Sequence, residues 1–74
     1  MSKTTCKRRF EFIGGGSDKF WEIEVIGKDV LVRFGRRGTN GQANAKAFPD
    51  EVAAMKHADK LVAEKIGKGY VEVG

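Results

Sequence analysis

Three runs of alternating apolar and polar residues, separated by glycines, constrain this chain more than any other feature. Lys7 to Ile13 sets Phe10 and Phe12 against Arg9 and Glu11. Lys19 to Ile26 sets Trp21, Ile23 and Val25 against Glu22 and Glu24, and Val30 to Gly35 sets Val30, Val32 and Phe34 against Leu31 and Arg33. A period of two puts alternate side chains on opposite faces of an extended backbone, so these runs predict half-buried strands. Gly27-Lys28-Asp29 is a short hairpin connection, which makes the second and third strands neighbours. Gly14-Gly15-Gly16-Ser17 reads as a flexible loop between the first two, because glycine meets no barrier to positive φ. Trp21, alternating with Ile23 and Val25, belongs to the core. Phe20 falls on the polar face of its strand, so that face is expected to be partly covered.

Beyond the turn Gly38-Thr39-Asn40-Gly41, residues Gln42 to Phe48 alternate Ala43, Ala45 and Ala47 against Gln42, Asn44 and Lys46. Alanine is a poor strand former, so this fourth strand should depend on its neighbour's ladder. Asp50 is a fitting N-cap, and Glu51 beside it suits the positive end of a helix. The helix is expected from about Glu51 to Ile66. Val52, Met55, Ala58 or Asp59, Val62 and Ile66 lie near helical spacing, and Ala54 and Leu61 widen the stripe. Gly67 is the expected stop, and Tyr70 to Val73 forms a short last strand, with the Tyr70 ring under the helix. The order is β-β-β-β-α-β, an α+β fold, with one domain over residues 7–74 behind a flexible basic tail of residues 1–6. A 74-residue chain has a small core, worth roughly 3 to 5 kcal/mol at most.

Several functions are disfavoured by composition. Cys6 is the single cysteine, so neither an intramolecular disulfide nor a cysteine-built zinc site is available, which fits a reducing compartment. The charged start lacks a following apolar run, and no eighteen apolar residues stand together, so neither a signal peptide nor a membrane span is expected. A cytoplasmic location follows as the expectation. His57 has no acid, cysteine or second histidine at metal or triad spacing and reads as an ordinary helix residue. Gly14 to Ser17 lacks the spacing of a phosphate-cradling loop. Asp50 and Glu51 belong to the helix start. No catalytic group, metal, cofactor or small-molecule substrate is expected, and the chain does not read as an enzyme.

Charge is more informative. The net charge is +4, yet from Phe10 onward ten basic and ten acidic residues cancel, so the excess lies in Lys3, Lys7, Arg8 and Arg9. Val30 to Pro49 contains no Asp or Glu, while it holds Arg33, Arg36, Arg37 and Lys46. Guanidinium groups offer planar, bidentate donors to phosphate. Arg36, Arg37 and Lys46 are therefore candidate phosphate contacts, and Lys7, Arg8 and Arg9 would add nonspecific attraction. The competing reading is a solubilising tail with solvated strand ends, in which Arg36 and Arg37 pair with Glu22 and Glu24. For Arg33, opposite the strand carrying those glutamates, a cross-strand ion pair is the expected role. Phe34 can be read two ways. Its alternation with Val30 and Val32 says core, and its place beside the basic loop says exposed.

Four blocks carry a likeness: Lys19-Phe20-Trp21-Glu22-Ile23, Phe34-Gly35-Arg36-Arg37-Gly38-Thr39-Asn40-Gly41-Gln42, Lys60-Leu61-Val62-Ala63-Glu64-Lys65 and Lys68-Gly69-Tyr70-Val71-Glu72-Val73. In this order they resemble the WGR domain, a module found in poly(ADP-ribose) polymerases and in small or regulatory bacterial proteins. Phe34 stands where that family usually has the tryptophan of its Trp-Gly-Arg run. The resemblance implies a small twisted antiparallel sheet of four to five strands with one helix packed across it. It also implies nucleic-acid binding, DNA above all, with Phe34 and Arg36 as the motif contacts and Gly35, Gly38 and Gly41 shaping the loop. Phenylalanine keeps a stacking face but lacks the indole N–H and has less area. In multidomain relatives the motif arginine also meets neighbouring domains, so a protein partner on the same surface is the alternative. The family's ADP-ribosylation chemistry belongs to a separate catalytic domain, and a bacterial origin is implied.

Overall fold

Every alternating run becomes a strand, and each of the first three strands extends beyond its apolar pattern. The computed structural model describes residues 4–73, with the side chains of residues 7–16 and 18–73. The elements are β1 (Thr4–Gly14), β2 (Ser17–Ile26), β3 (Asp29–Arg36), β4 (Gln42–Ala47), α1 (Glu51–Gly67) and β5 (Val71–Val73). They form the expected α+β fold, a five-stranded antiparallel sheet in the order β4-β3-β2-β1-β5 with one helix.

The registers explain the extra strand length. Gly14 pairs with Ser17 and Ile26 with Asp29, so both hairpins close through two-residue turns, Gly15-Gly16 and Gly27-Lys28. The glycine segment is thus a tight turn, because the ladder reaches its first and last residues, and the expected flexible loop is not formed. Pairing of Thr4 with Ile26 likewise places the backbone of Thr4, Thr5 and Cys6 in β1. Of the tail expected over residues 1–6, residues 1–3 lie outside the described residues.

Directly paired residues share a face. Phe10, Trp21, Phe34 and Gln42 form one row, and Arg8, Ile23, Val32 and Asn44 the next. Helix α1 covers this face, where Phe10, Trp21, Ile23, Val25 and Val30 meet Ala54, Ala58 and Val62. Two alanines in that line let the helix approach closely, and Phe10 and Ala54 are wholly buried. Met55 and Leu61 flank the line. Val52 and Ile66, expected in the buried stripe, are 64% and 54% exposed. At about 100° per residue, Val52 lies about 200° round from Ala54, and each four-residue step drifts about 40°, carrying Ile66 off the sheet.

Both helix ends are capped. The Ala53 N–H donates to Asp50 Oδ1 at 2.7 Å, as the sequence suggests. Asp50→Ala should therefore cost about 1 kcal/mol while Asp50→Asn costs less, read as urea midpoints at constant m-value. Equal losses for both would show that the cap bond is not what stabilises this end. At the other end α1 stops at Gly67, as the sequence suggests, while the left-handed residue that turns the chain away is Gly69, φ +101. Lys68 is the C-cap and keeps right-handed backbone angles, and the amides of Gly69 and Tyr70 donate to the carbonyls of Ile66 and Lys65 at 3.0 and 3.1 Å.

Candidate nucleic-acid interface

The candidate site is built where β3 ends. Phe34 and Arg36 are two residues apart and share the helix-side face, with Gly35 between them. Arg36 pairs with Lys19, and Lys19 with Phe12, so these three make a row across the sheet. The last turn of α1 brings Lys65 over this end. Past Gly69 the chain turns back toward β1, setting the Tyr70 ring 5.5 Å from the Phe12 ring. Together they enclose a groove of about 810 Å³, lined by Lys19, Phe20, Phe34, Arg36, Lys65 and Tyr70 with Gly16, Asp18 and Gly35.

Each lining group has a definite state. Phe34 is 36% exposed, so it serves both readings, with its place in the row against buried Trp21 and part of its side chain lining the groove. The Arg36 carbonyl accepts from the Thr39 hydroxyl at 2.7 Å and from its amide at 3.2 Å, which holds the turn. The Arg36 guanidinium makes no salt bridge among the described residues, with Glu22 and Glu24 or otherwise. Lys65 Nζ stands 5.5 Å from the Trp21 ring and 5.3 Å from the Tyr70 ring. Partial burial pushes the Lys65 pKa down, and neighbouring Lys68 and Lys19 add to this against an opposing Glu64. A lysine in that state gains from an arriving anion, which relieves the repulsion of its neighbours.

The loop carrying Arg36 is shaped from below. Phe20, on the face opposite the helix, is only 3% exposed, because the loop folds down on it. A Cβ at Gly41 would press into the Phe34 carbonyl oxygen and stand 2.8 Å from Phe20 Cζ, and one at Gly35 would stand 2.7 Å from Gly41 Cα. Close approach thus accounts for Gly35 and Gly41. Gly38 has open space around it and a φ of +87, so there backbone conformation is the reason.

The candidate cations divide between two faces. Lys46 is exposed on β4, with Nζ 5.4 Å from the Phe48 ring, and lines a groove shared with Phe34 and Lys65. Arg37 points to the opposite face, bonded to Asp18 at 2.8 Å and 3.4 Å from Glu11. Arg9 lies on that face too, paired with Glu22 and Glu11 and 4.7 Å above the Phe20 ring, and Lys7 is exposed there in register with Glu24. Arg8 bonds Glu72 through Nε at 2.8 Å and Nη2 at 2.6 Å, tying β5 to β1; this holds the Glu72 carboxyl below its usual range. The structure therefore sets Phe34 beside Arg36, puts Lys46 on the same face but far along β3, in register with Val30, and sets Arg37, Arg9, Lys7 and Arg8 apart from them. Arg33 sits in register with Glu22, but the expected ion pair is absent because Glu22 bonds Arg9 on its other side.

Lys19, Lys65 and Tyr70 are functional candidates that the sequence reading passed over. For Lys19 a signal existed: counting back from a two-residue turn at Gly27-Lys28 places it opposite Arg36. For Lys65 and Tyr70 none existed, since their position depends on where the helix end crosses the sheet. Among the described residues there is no grouping of three metal-ligating side chains, and no helix is long and apolar enough to cross a membrane.

Known proteins resemble this chain in sequence and in fold. Protein YehF of Escherichia coli K12 is 43% identical over 65 residues, covering 88% of this chain and 24% of that protein. The uncharacterized E. coli protein YfeS is 39% identical over 66 residues, covering 89% of this chain and 27% of its own. A crystal structure of a Bacteroides fragilis protein matches with a TM-score of 0.90 at 49% identity, over 93% of this chain and 20% of the other. The chain thus spans about a quarter of the length of the curated relatives it matches. Residues 4–74 match the WGR domain, and with nearly the whole chain so matched the protein belongs to the WGR domain family.

Proposed function

We propose that the domain is a non-catalytic module that binds nucleic acid, DNA foremost, through the groove at the end of β3. The observation that carries this reading is the Arg36 guanidinium, unbridged among the described residues, set across from Lys19 and beside Phe34 and Lys65. The carboxylate lining that groove, Asp18, is engaged by Arg37. Phosphate oxygens would take charge-assisted hydrogen bonds from Arg36, and Lys19 and Lys65 would add point charges. Phe34 would pack on a sugar or base without donating a hydrogen bond. Contacts of this kind position the backbone and carry little sequence information.

Fluorescence anisotropy of a labelled nicked duplex at low salt tests it. Binding on the order of 10⁻⁴ to 10⁻⁶ M is expected, falling steeply with salt. Arg36→Gln should weaken it about 10-fold, an effect of about 1.5 kcal/mol, and flatten the salt slope by about one. Arg33→Gln, exposed on the other face and outside the groove lining, should change affinity by less than about 2-fold. Equal losses for the two variants, or no binding by the parent protein, would refute the assignment to this groove.

A further inference from the structure

The groove continues in both directions from Phe34. Phe34 and Lys65 also line a stretch of about 340 Å³ between α1 and β3 that reaches Asn44, Lys46 and His57. On the other side Lys19, Lys65 and Tyr70 lead into a stretch of about 270 Å³ with Phe12 and Lys68. Three openings that share Lys65 make one track, running from the β4 edge to the end of β1. Cations and rings both line it: Lys46, the His57 and Phe34 rings, Lys65, Tyr70 and Lys68. Its carboxylates are Asp18, bonded to Arg37 at 2.8 Å, and Glu64, next to Lys65 in sequence.

The length of the track follows from the sheet. Lys46 is in register with Val30 and Lys19 with Arg36, so six residues of β3 separate the two cationic rows, about 20 Å. That is about six nucleotides of a stacked strand. In a duplex only the terminal pair has a free π-face, so a duplex end could use Phe34 but would leave the rings at either side unmatched. An unpaired strand has a face for each ring, and its single backbone is narrow enough to lie between helix and sheet.

We propose, on the basis of the nucleic-acid reading above, that the preferred ligand is an unpaired strand of about six nucleotides lying along the track from Lys46 to Lys68. Its bases rest on Phe34 and Tyr70, and its phosphates meet Arg36, Lys19 and the two terminal lysines. Charges interspersed with rings are what an unpaired strand requires and what a phosphate-only contact does not.

The test compares three labelled ligands at matched low salt: an oligothymidylate of about eight nucleotides, one of about three, and a blunt duplex. The longer strand should bind at least about 10-fold tighter than either of the others. Lys46→Gln and Lys68→Gln lie on exposed positions at opposite ends, and each should weaken the longer strand about 3-fold while hardly affecting the short one. Circular dichroism of both variants verifies that they fold. Duplex binding as tight as the longer strand would overturn this inference and leave the nucleic-acid reading standing. Loss confined to Lys68→Gln would also overturn it, since the track would stop at Phe34. Absence of binding by every ligand would overturn both readings.

Discussion

Gly41→Ala is expected to destabilise the domain by about 3 kcal/mol, close to its whole stability. The methyl would press into the Phe34 carbonyl oxygen and stand 2.8 Å from Phe20 Cζ, with the residue at φ +67. Backbone conformation alone costs about 1 to 2 kcal/mol for a side chain in this region, and the carbonyl is backbone, so it cannot swing aside. Gly38→Ala is the control, because its φ of +87 carries the conformational cost with no atom within 4 Å of the new methyl. Urea denaturation followed by Trp21 fluorescence separates the two contributions. If Gly41→Ala proves no worse than Gly38→Ala, the close approach of the loop to Phe20 is not a constraint on the fold.

Phe10→Ala should have a comparable or larger effect, about 3 to 5 kcal/mol. Phe10 is wholly buried, its ring centroid is 5.7 Å from that of Trp21, and the Arg8 guanidinium lies 5.2 Å above it. Removing the ring opens a cavity between the sheet and α1 that the short alanine stripe cannot collapse to fill. In a domain of this size the result should be a largely unfolded chain, seen as loss of amide dispersion in a two-dimensional NMR spectrum. Phe12→Ala, at a half-buried position by the groove, should keep that dispersion. A well-dispersed spectrum for Phe10→Ala with a modest midpoint shift would place the core elsewhere.

Strands were legible because a two-residue period is local, and the helix start because Asp50 caps through its own side chain. The phase of the helix was less so. Val52 and Ile66 look as apolar as Val62, and only the placement of the axis over β2 and β3 decides that Ala54, Ala58 and Val62 face inward. The helix ends at Gly67 as expected, but the left-handed turn falls at Gly69 because Lys68 keeps right-handed backbone angles, which neither glycine announces. Charges were harder still. Arg8 and Arg9 read as excess positive charge near the N-terminus, yet Glu72, which neutralises Arg8, is 64 positions away, and Glu22 reaches Arg9 only through the β1–β2 register. The motif arginine was found from its neighbours in sequence, whereas Lys19 and Lys65 join it only through pairing and helix placement.

The seating of Gly41 on Phe20 also bears on how fast a ligand can arrive. The segment that presents Arg36 is folded back before any encounter, so binding need not order it, a step that would otherwise cost about 1 to 2 kcal/mol for each residue fixed. Association should then proceed in a single kinetic phase whose rate falls with ionic strength, with no slower rearrangement behind it. Differences between ligands would lie mainly in how long each one stays.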